Sequence, residues 1–224
     1  MRTADSRVRN ALARFFDGFD TLADADLPVL SIAAPFNKDA AIPQGDVSVR
    51  DIAGLYIYDN TLLGIKLTGA QVKAYLEKSA EYFKPALTPG TYPAASLTNA
   101  VTPTAPNGTP DYNYDVMGGL DQPLTYDIDL AQPVGSRIVG LAYGGVPVTD
   151  SQEFVVAINN YRQSGGGNFP GVTAAPVVYN RQVEIRQLLI DWVSANQVVD
   201  PAVFSSTNPD WQLTSGGTPL TVTP

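Results

Sequence analysis

Tyr161 stands between an apolar run and a glycine triplet, within residues 153–171 (EFVVAINNYRQSGGGNFPG). Phe154, Val155, Val156, Ala157 and Ile158 read as a buried strand, and Gly165, Gly166 and Gly167 let the backbone turn through conformations that a side chain would forbid. A tyrosine delivered to a sheet edge in this way offers its ring to a flat ligand. The same pattern also fits a packed tyrosine ahead of a glycine turn. A second tyrosine, Tyr58, stands at the mouth of the turn Asp59-Asn60, and Asn37-Lys38 forms a small donor pair in a loop after Pro35.

Other chemistry is sparse. Asp127 and Asp129 alternate with Tyr126 and Ile128, which would put both carboxylates on the solvent face of one strand. A metal or acid/base use of that pair lacks a third ligand nearby in sequence, so solvation is the simpler expectation. Ser164-Gly165-Gly166-Gly167 is not followed by Lys-Ser or Lys-Thr and is no phosphate loop; no serine elbow is present. The chain has neither histidine nor cysteine. That removes thiolate metal sites, disulfides and the usual general base near neutral pH, and makes a self-sufficient hydrolase a poor fit.

Composition narrows the partners. Among 224 residues, 44% are hydrophobic and 16% charged, enough for a real core, and the net charge of −8 disfavours a nucleic-acid polymer. No apolar run approaches the ~18 residues of a membrane span, and the start MRTADSRVRN lacks a signal peptide's apolar core. If the protein is exported, its signal is expected upstream.

The elements that must position these residues follow in order. Val8, Ala11, Leu12, Phe15 and Phe16 have helical spacing, with Asp5 as N-cap, and residues 28–34 form an apolar run of strand length. Leu62, Leu63, Ile65 and Leu67 read as a strand. Thr68 and Gln71 then make a capping box for a helix to about Phe83 that buries Val72, Tyr75, Leu76, Ser79 and Phe83. Residues 84–111 read as a long surface excursion and residues 124–130 as a half-buried strand. Residues 138–143 and 146–148 form a hairpin around Gly144-Gly145, with Pro147 marking an edge. Residues 180–195 read as a helix, and the tail as short strands and turns. Strands and helices without regular alternation indicate an α+β fold, a mixed β-sheet with packed helices.

Five segments, in this order, carry a resemblance: LPVLSIAAPFN (27–37), LYIYDNTLLGIKLTGAQVKAYLEKSA (55–80), YNYDVMGGL with YDIDL (112–130), RIVGLAYGGVPV (137–148) and FVVAINNYRQSGGGNFPG (154–171). Together they resemble the C-terminal domain of the 5′-nucleotidase family, over most of the chain from Leu27 to Trp192. The resemblance implies a substrate-specificity domain at residues 27–224, preceded by a helix and interdomain linker at residues 1–26. It further implies a periplasmic, cell-surface or secreted bacterial phosphoesterase. That protein's N-terminal metallophosphoesterase domain, outside this chain, would hold two divalent metal ions and the catalytic groups; no cofactor and no catalytic residue is expected here.

By the same resemblance, Tyr58 and Tyr161 would sandwich the base of a nucleoside or nucleotide. Asn60 would contact the base edge, residues Gly165, Gly166, Gly167 and Asn168 would border the ribose, and Asn160 and Arg162 of the Asn-Asn-Tyr-Arg motif join the substrate-binding set. This chain has Gly167 and Asn37 where true 5′-nucleotidases carry a ribose-gripping aspartate and a phosphate-binding arginine. It is therefore more similar to the 2′,3′-cyclic-nucleotide 2′-phosphodiesterase/3′-nucleotidase branch, with Lys38 as a substitute basic contact. The rival expectation is a non-catalytic surface or ligand-binding module on the same scaffold.

Overall fold

The computed structural model describes residues 27–34, 41–42, 44–103, 106–200 and 210–223. The helix expected around Val8–Phe16, the proposed linker, Asn37 and Lys38 lie outside the described residues.

A five-stranded mixed sheet forms the centre. Its strands are β1 (Val29–Ala33), β2 (Thr61–Thr68), β4 (Val116–Gly119), β8 (Glu153–Asn159) and β9 (Val177–Glu184), in the order β4-β1-β8-β2-β9. β8 runs parallel to β1 and antiparallel to β2, with Leu62 opposite Asn159 and Thr68 opposite Glu153. Its side chains alternate between two cores. Phe154, Val156 and Ile158 join one apolar cluster, while Val155 and Ala157 join another on the opposite face. Burial on both faces explains why β8 is an unbroken apolar run, with no polar alternation.

Each face is covered by helices. On one lies α2 (Gly69–Ala80), opened by the expected Thr68–Gln71 capping box and burying Val72, Tyr75, Leu76 and Ser79. It stops at Ala80, before Phe83, which is buried beyond the helix and bridges to Thr98. On the other face lie α1 (Val49–Leu55) and α5 (Ile185–Asn196), which contribute Ile52, Ile185, Leu188 and Leu189 to the second core.

The second sheet, in the order β11-β10-β5-β6-β7, comprises β5 (Leu124–Asp129), β6 (Ile138–Tyr143), β7 (Val146–Pro147), β10 (Trp211–Ser215) and β11 (Thr218–Pro219). The Gly144-Gly145 hairpin forms as expected, and β7 is an edge strand. Charged groups fasten this sheet to α2. Glu77 accepts hydrogen bonds from the backbone N–H groups of Arg137 (2.9 Å) and Ile138 (2.8 Å), and Arg137 Nη1 donates to the carbonyls of Ala80, the last residue of the helix, and of Phe83 beyond it. The Ala80 carbonyl, which also accepts from the Phe83 N–H, thus gains a cationic donor at the C-terminal end of the helix.

Three expectations change. Asn180–Glu184, expected as the first turns of a helix, belong to β9, because pairing with β2 outweighs helical periodicity; the helix starts at Ile185. The excursion at 84–111 contains β3 (Thr91–Pro93), paired with β12 (Thr221–Thr223), a one-turn helix α3 (Ala94–Leu97) and a 3-10 turn at Asp111–Asn113. Asp129 does not share a solvent face with Asp127. It is buried, and its carboxylate accepts from the backbone N–H groups of Ala131 (3.1 Å) and Gly216 (2.9 Å), tying two turns together.

Candidate functional site

The end of β8 and the start of β2 lie side by side because the strands are antiparallel. Tyr161 follows the first on the short helix α4 (Asn160–Gln163), and Tyr58 precedes the second in the loop after α1. Topology therefore carries both tyrosines to one end of the central sheet. Both are large aromatic side chains left partly in water, Tyr58 at 40% and Tyr161 at 41% exposure, in contrast to buried Tyr56, Tyr75, Tyr82 and Tyr114.

Hydrogen bonds join the two supports. Asn160 Oδ1 accepts from the backbone N–H of Thr61 at 3.1 Å, so α4 caps the first residue of β2. The Tyr56 hydroxyl accepts from the side-chain amides of Asn60 (3.0 Å) and Asn159 (3.4 Å). Burial pushes that phenol above its ordinary range, and the two asparagine donors oppose the shift. Arg186 of α5 donates to the carbonyls of Tyr56 (2.9 Å) and Ile57 (2.8 Å) and to Asp59 Oδ1 (2.7 Å). The loop carrying Tyr58 is thus clamped from one side by Arg186 and tied to Asn159 from the other.

Beneath Tyr161 the glycine triplet meets two separate demands. The N–H of Gly166 donates to the Tyr161 carbonyl (2.9 Å) and that of Gly165 to the Arg162 carbonyl (3.0 Å), the paired bonds of a Schellman ending in which Gly165 adopts φ +106°. Gly166 then lies directly against the Tyr161 ring, where a β-carbon would sit 2.4 Å from two ring carbons. Gly167, at φ +82°, leaves a β-carbon only 2.7 Å from the Phe169 ring and 2.9 Å from Arg162 Nη1 and Asn113 Oδ1. Asn168 holds φ 56°, a conformation that asparagine tolerates better than most residues.

Arg162 does not reach the surface. Its side chain is fully buried in an ion pair with Asp115, Nε to Oδ2 and Nη2 to Oδ1 both at 2.8 Å. Nη1 donates to Asn113 Oδ1 (3.1 Å) and the Gly166 carbonyl (3.3 Å), and Nη2 also to the Tyr112 carbonyl. All five guanidinium N–H groups are then engaged within the protein. Arg162, expected among the substrate-binding residues, thus spends its side chain inside the protein, where it supports the turn through the Gly166 carbonyl. Burial alone would lower its pKa, but hydrogen bonds and charge from Asp115 outweigh that and raise it.

The sequence reading missed Asp115, Asn113, Tyr75, Asn159 and Arg186, because each acts through a contact distant along the chain. Asp115 is the centre of these. Its carboxylate accepts from Arg162 and from the Tyr75 hydroxyl, and its N–H donates to Ser79 Oγ at 3.2 Å. The sequence reading also missed helix α1, although the Ser48-x-x-Asp51 spacing of its capping box is a local signal that could have found it: Ser48 N–H donates to Asp51 Oδ2 at 2.8 Å. Among the described residues, no three or more His, Cys, Asp or Glu side chains are grouped so as to hold a metal ion. No helix among them is long and apolar enough to cross a membrane.

Among the described residues, partly exposed Tyr58 and Tyr161 stand on a mixed α+β scaffold whose buried charges Glu77, Asp115, Asp129, Arg137 and Arg162 are all engaged within the protein. The chain belongs to the 5′-nucleotidase C-terminal domain family, whose model matches residues 2–174. It is 37% identical over 196 residues to the trifunctional nucleotide phosphoesterase protein YfkN of Bacillus subtilis, covering 79% of this chain and 13% of that protein. It is 35% identical over 208 residues to the 2′,3′-cyclic-nucleotide 2′-phosphodiesterase/3′-nucleotidase of Haemophilus influenzae, covering 85% and 30%. A Staphylococcus aureus structure assigned as a 5′-nucleotidase superposes with TM-score 0.69 at 29% identity, over 94% of this chain and 36% of that one. This chain spans less than a third of the length of both sequence relatives.

Proposed function

We propose that this domain binds the nucleoside part of a nucleotide, holding the base between Tyr58 and Tyr161, while an N-terminal metallophosphoesterase domain hydrolyses the phosphate ester. One observation carries the reading: two half-exposed tyrosines stand on the adjoining ends of neighbouring strands, each on a support held by hydrogen bonds to a neighbouring element. Base-on-ring stacking is worth about 1–3 kcal/mol per base and tolerates any base. Asn60 lies beside Tyr58 for the base edge, and the turn Gly165–Asn168 beside Tyr161 for the ribose. Asn160 positions the loop through Thr61. Asn37 and Lys38 complete the proposed set.

The crowding at Gly167 favours the 2′,3′-cyclic phosphodiesterase/3′-nucleotidase branch. The β-carbon of a ribose-gripping aspartate there would have to displace Phe169, Arg162 and Asn113, and loss of that aspartate is tolerable when a 2′ or 3′ oxygen is itself phosphorylated. Two divalent ions in the N-terminal domain would supply the electrophilic chemistry; the described residues offer no set that fits them. This chain's work is to bind and orient. Residues 1–26 would serve as linker, the protein would be periplasmic, cell-surface or secreted, and the chain alone would show no phosphodiesterase activity.

The test is an adenosine titration followed by tyrosine fluorescence. Tyr58→Ala and Tyr161→Ala are each expected to weaken binding about fivefold or more. Equal affinity in the wild type and both variants would remove the clamp and favour a non-catalytic module.

A further inference from the structure

The geometry points to Arg162 and Asp115 as positioning residues that set the plane of the Tyr161 platform, an inference resting on the base-binding reading above. Every polar atom of the pair faces inward, yet the pair ends at the site. Arg162 Nη1 donates to the carbonyl of Gly166, the residue whose backbone underlies the Tyr161 ring, and the guanidinium carbon lies 5.4 Å from that ring's centre. The same guanidinium lies 4.8 Å from the centre of the Phe169 ring, just past the turn.

At its other end the pair is fixed to α2. Asp115 accepts from the Tyr75 hydroxyl and donates its N–H to Ser79 Oγ, and the Tyr75 ring stacks on Phe169 at 4.0 Å. A rigid helix thus holds Asp115, Asp115 holds Arg162, and Arg162 holds Gly166 under the tyrosine. Lysine at position 162 would keep the charge but lose the planar fork that reaches Asp115, Asn113 and Gly166 together. A fully buried ion pair is a weak way to gain stability compared with apolar packing, whereas fixing a ring requires this kind of multiply bonded frame.

The test is a double-mutant cycle. Adenosine dissociation constants and urea midpoints are measured for the wild type, Arg162→Lys, Asp115→Asn, Tyr75→Phe and Tyr161→Ala, and for Arg162→Lys, Asp115→Asn and Tyr75→Phe each combined with Tyr161→Ala. The expected result is binding about tenfold weaker in Arg162→Lys and Asp115→Asn, with that loss absent once Tyr161 is alanine. Unchanged dissociation constants in folded variants with lowered urea midpoints would mean structural cement only and would overturn the inference, as would losses that persist undiminished beside Tyr161→Ala. If Arg162→Lys and Asp115→Asn do not fold, Tyr75→Phe, which removes one hydroxyl, decides by the same cycle. Failure of the parent reading looks different: there, Tyr161→Ala binds as the wild type does, or the wild type does not respond to adenosine.

Discussion

Gly166→Ala isolates the ring platform from the stability of the fold. Gly166 does not have a positive φ, so alanine meets no backbone objection there. The new methyl would lie 2.4 Å from Tyr161 Cε1 and Cζ and 2.6 Å from Cδ1. Carbon atoms rest about 3.5–4.0 Å apart, so the ring must retreat by more than ~1 Å. Tyr161 is 41% exposed and can swing into water, so the urea midpoint should correspond to a loss below about 1 kcal/mol, the range of surface changes. Base stacking, worth ~1–3 kcal/mol, depends on the ring plane. Adenosine affinity should therefore fall about five- to hundredfold while stability barely moves. Calorimetric titration with adenosine beside urea unfolding reads both. Undiminished affinity in Gly166→Ala, with Tyr161→Ala impaired, would refute the claim that the plane of the ring matters; a collapse of stability would refute the claim that the ring yields.

Further expectations concern the frame. Gly167→Ala combines a positive φ with contacts of 2.7–2.9 Å to Phe169, Arg162 and Asn113, and should cost about 1–3 kcal/mol in urea unfolding. Asp115→Ala leaves a buried guanidinium uncompensated and should cost about 3–5 kcal/mol. Asp59→Ala, which breaks a largely exposed pair with Arg186, should cost about 0–1 kcal/mol. Burial, reinforced by the Asp115 charge, holds the Tyr75 phenol well above its ordinary range. Because the folded form keeps that proton longer, stability from this group is full below the ordinary tyrosine pKa of about 10 and falls as pH climbs past it. Urea midpoints from pH 8 to 11 should show a decline that Tyr75→Phe makes shallower.

The sequence carried the strands well, because β8 and β2 are apolar runs and the Gly144-Gly145 hairpin has its own turn chemistry. It misjudged 180–184, where a helical period in Val183, Leu188 and Leu189 continued into residues that pair with β2. Gln182 at φ 56° marks a conformation that no helix would hold. Asp129 was misread for a related reason: alternation predicts a face, but the strand ends at Asp129, where its carboxylate turns in to the N–H groups of Ala131 and Gly216. At the site, the tyrosines and glycines were visible as local motifs. The Arg162–Asp115 pair was not, since 47 residues separate its members and nothing local to YNYD or NNYR announces the other.

The buried Arg162–Asp115 frame behind the Tyr161 ring explains why the glycine triplet cannot be read as flexibility. A glycine-rich loop left to solvent would be mobile, with Gly chosen for freedom; here the N–H groups of Gly165, Gly166 and Asn168 and the carbonyls of Tyr161, Arg162, Gly165 and Gly166 are engaged. Gly165 ends α4, Gly166 yields its side-chain volume to Tyr161, and Gly167 yields its own to Phe169, Arg162 and Asn113. Small residues in this turn let a buried frame come within contact distance of an exposed ring. A loop built for motion would tolerate alanine at 166 and 167 alike, affecting neither affinity nor stability. A frame built for contact separates them, with affinity lost at 166 and stability at 167.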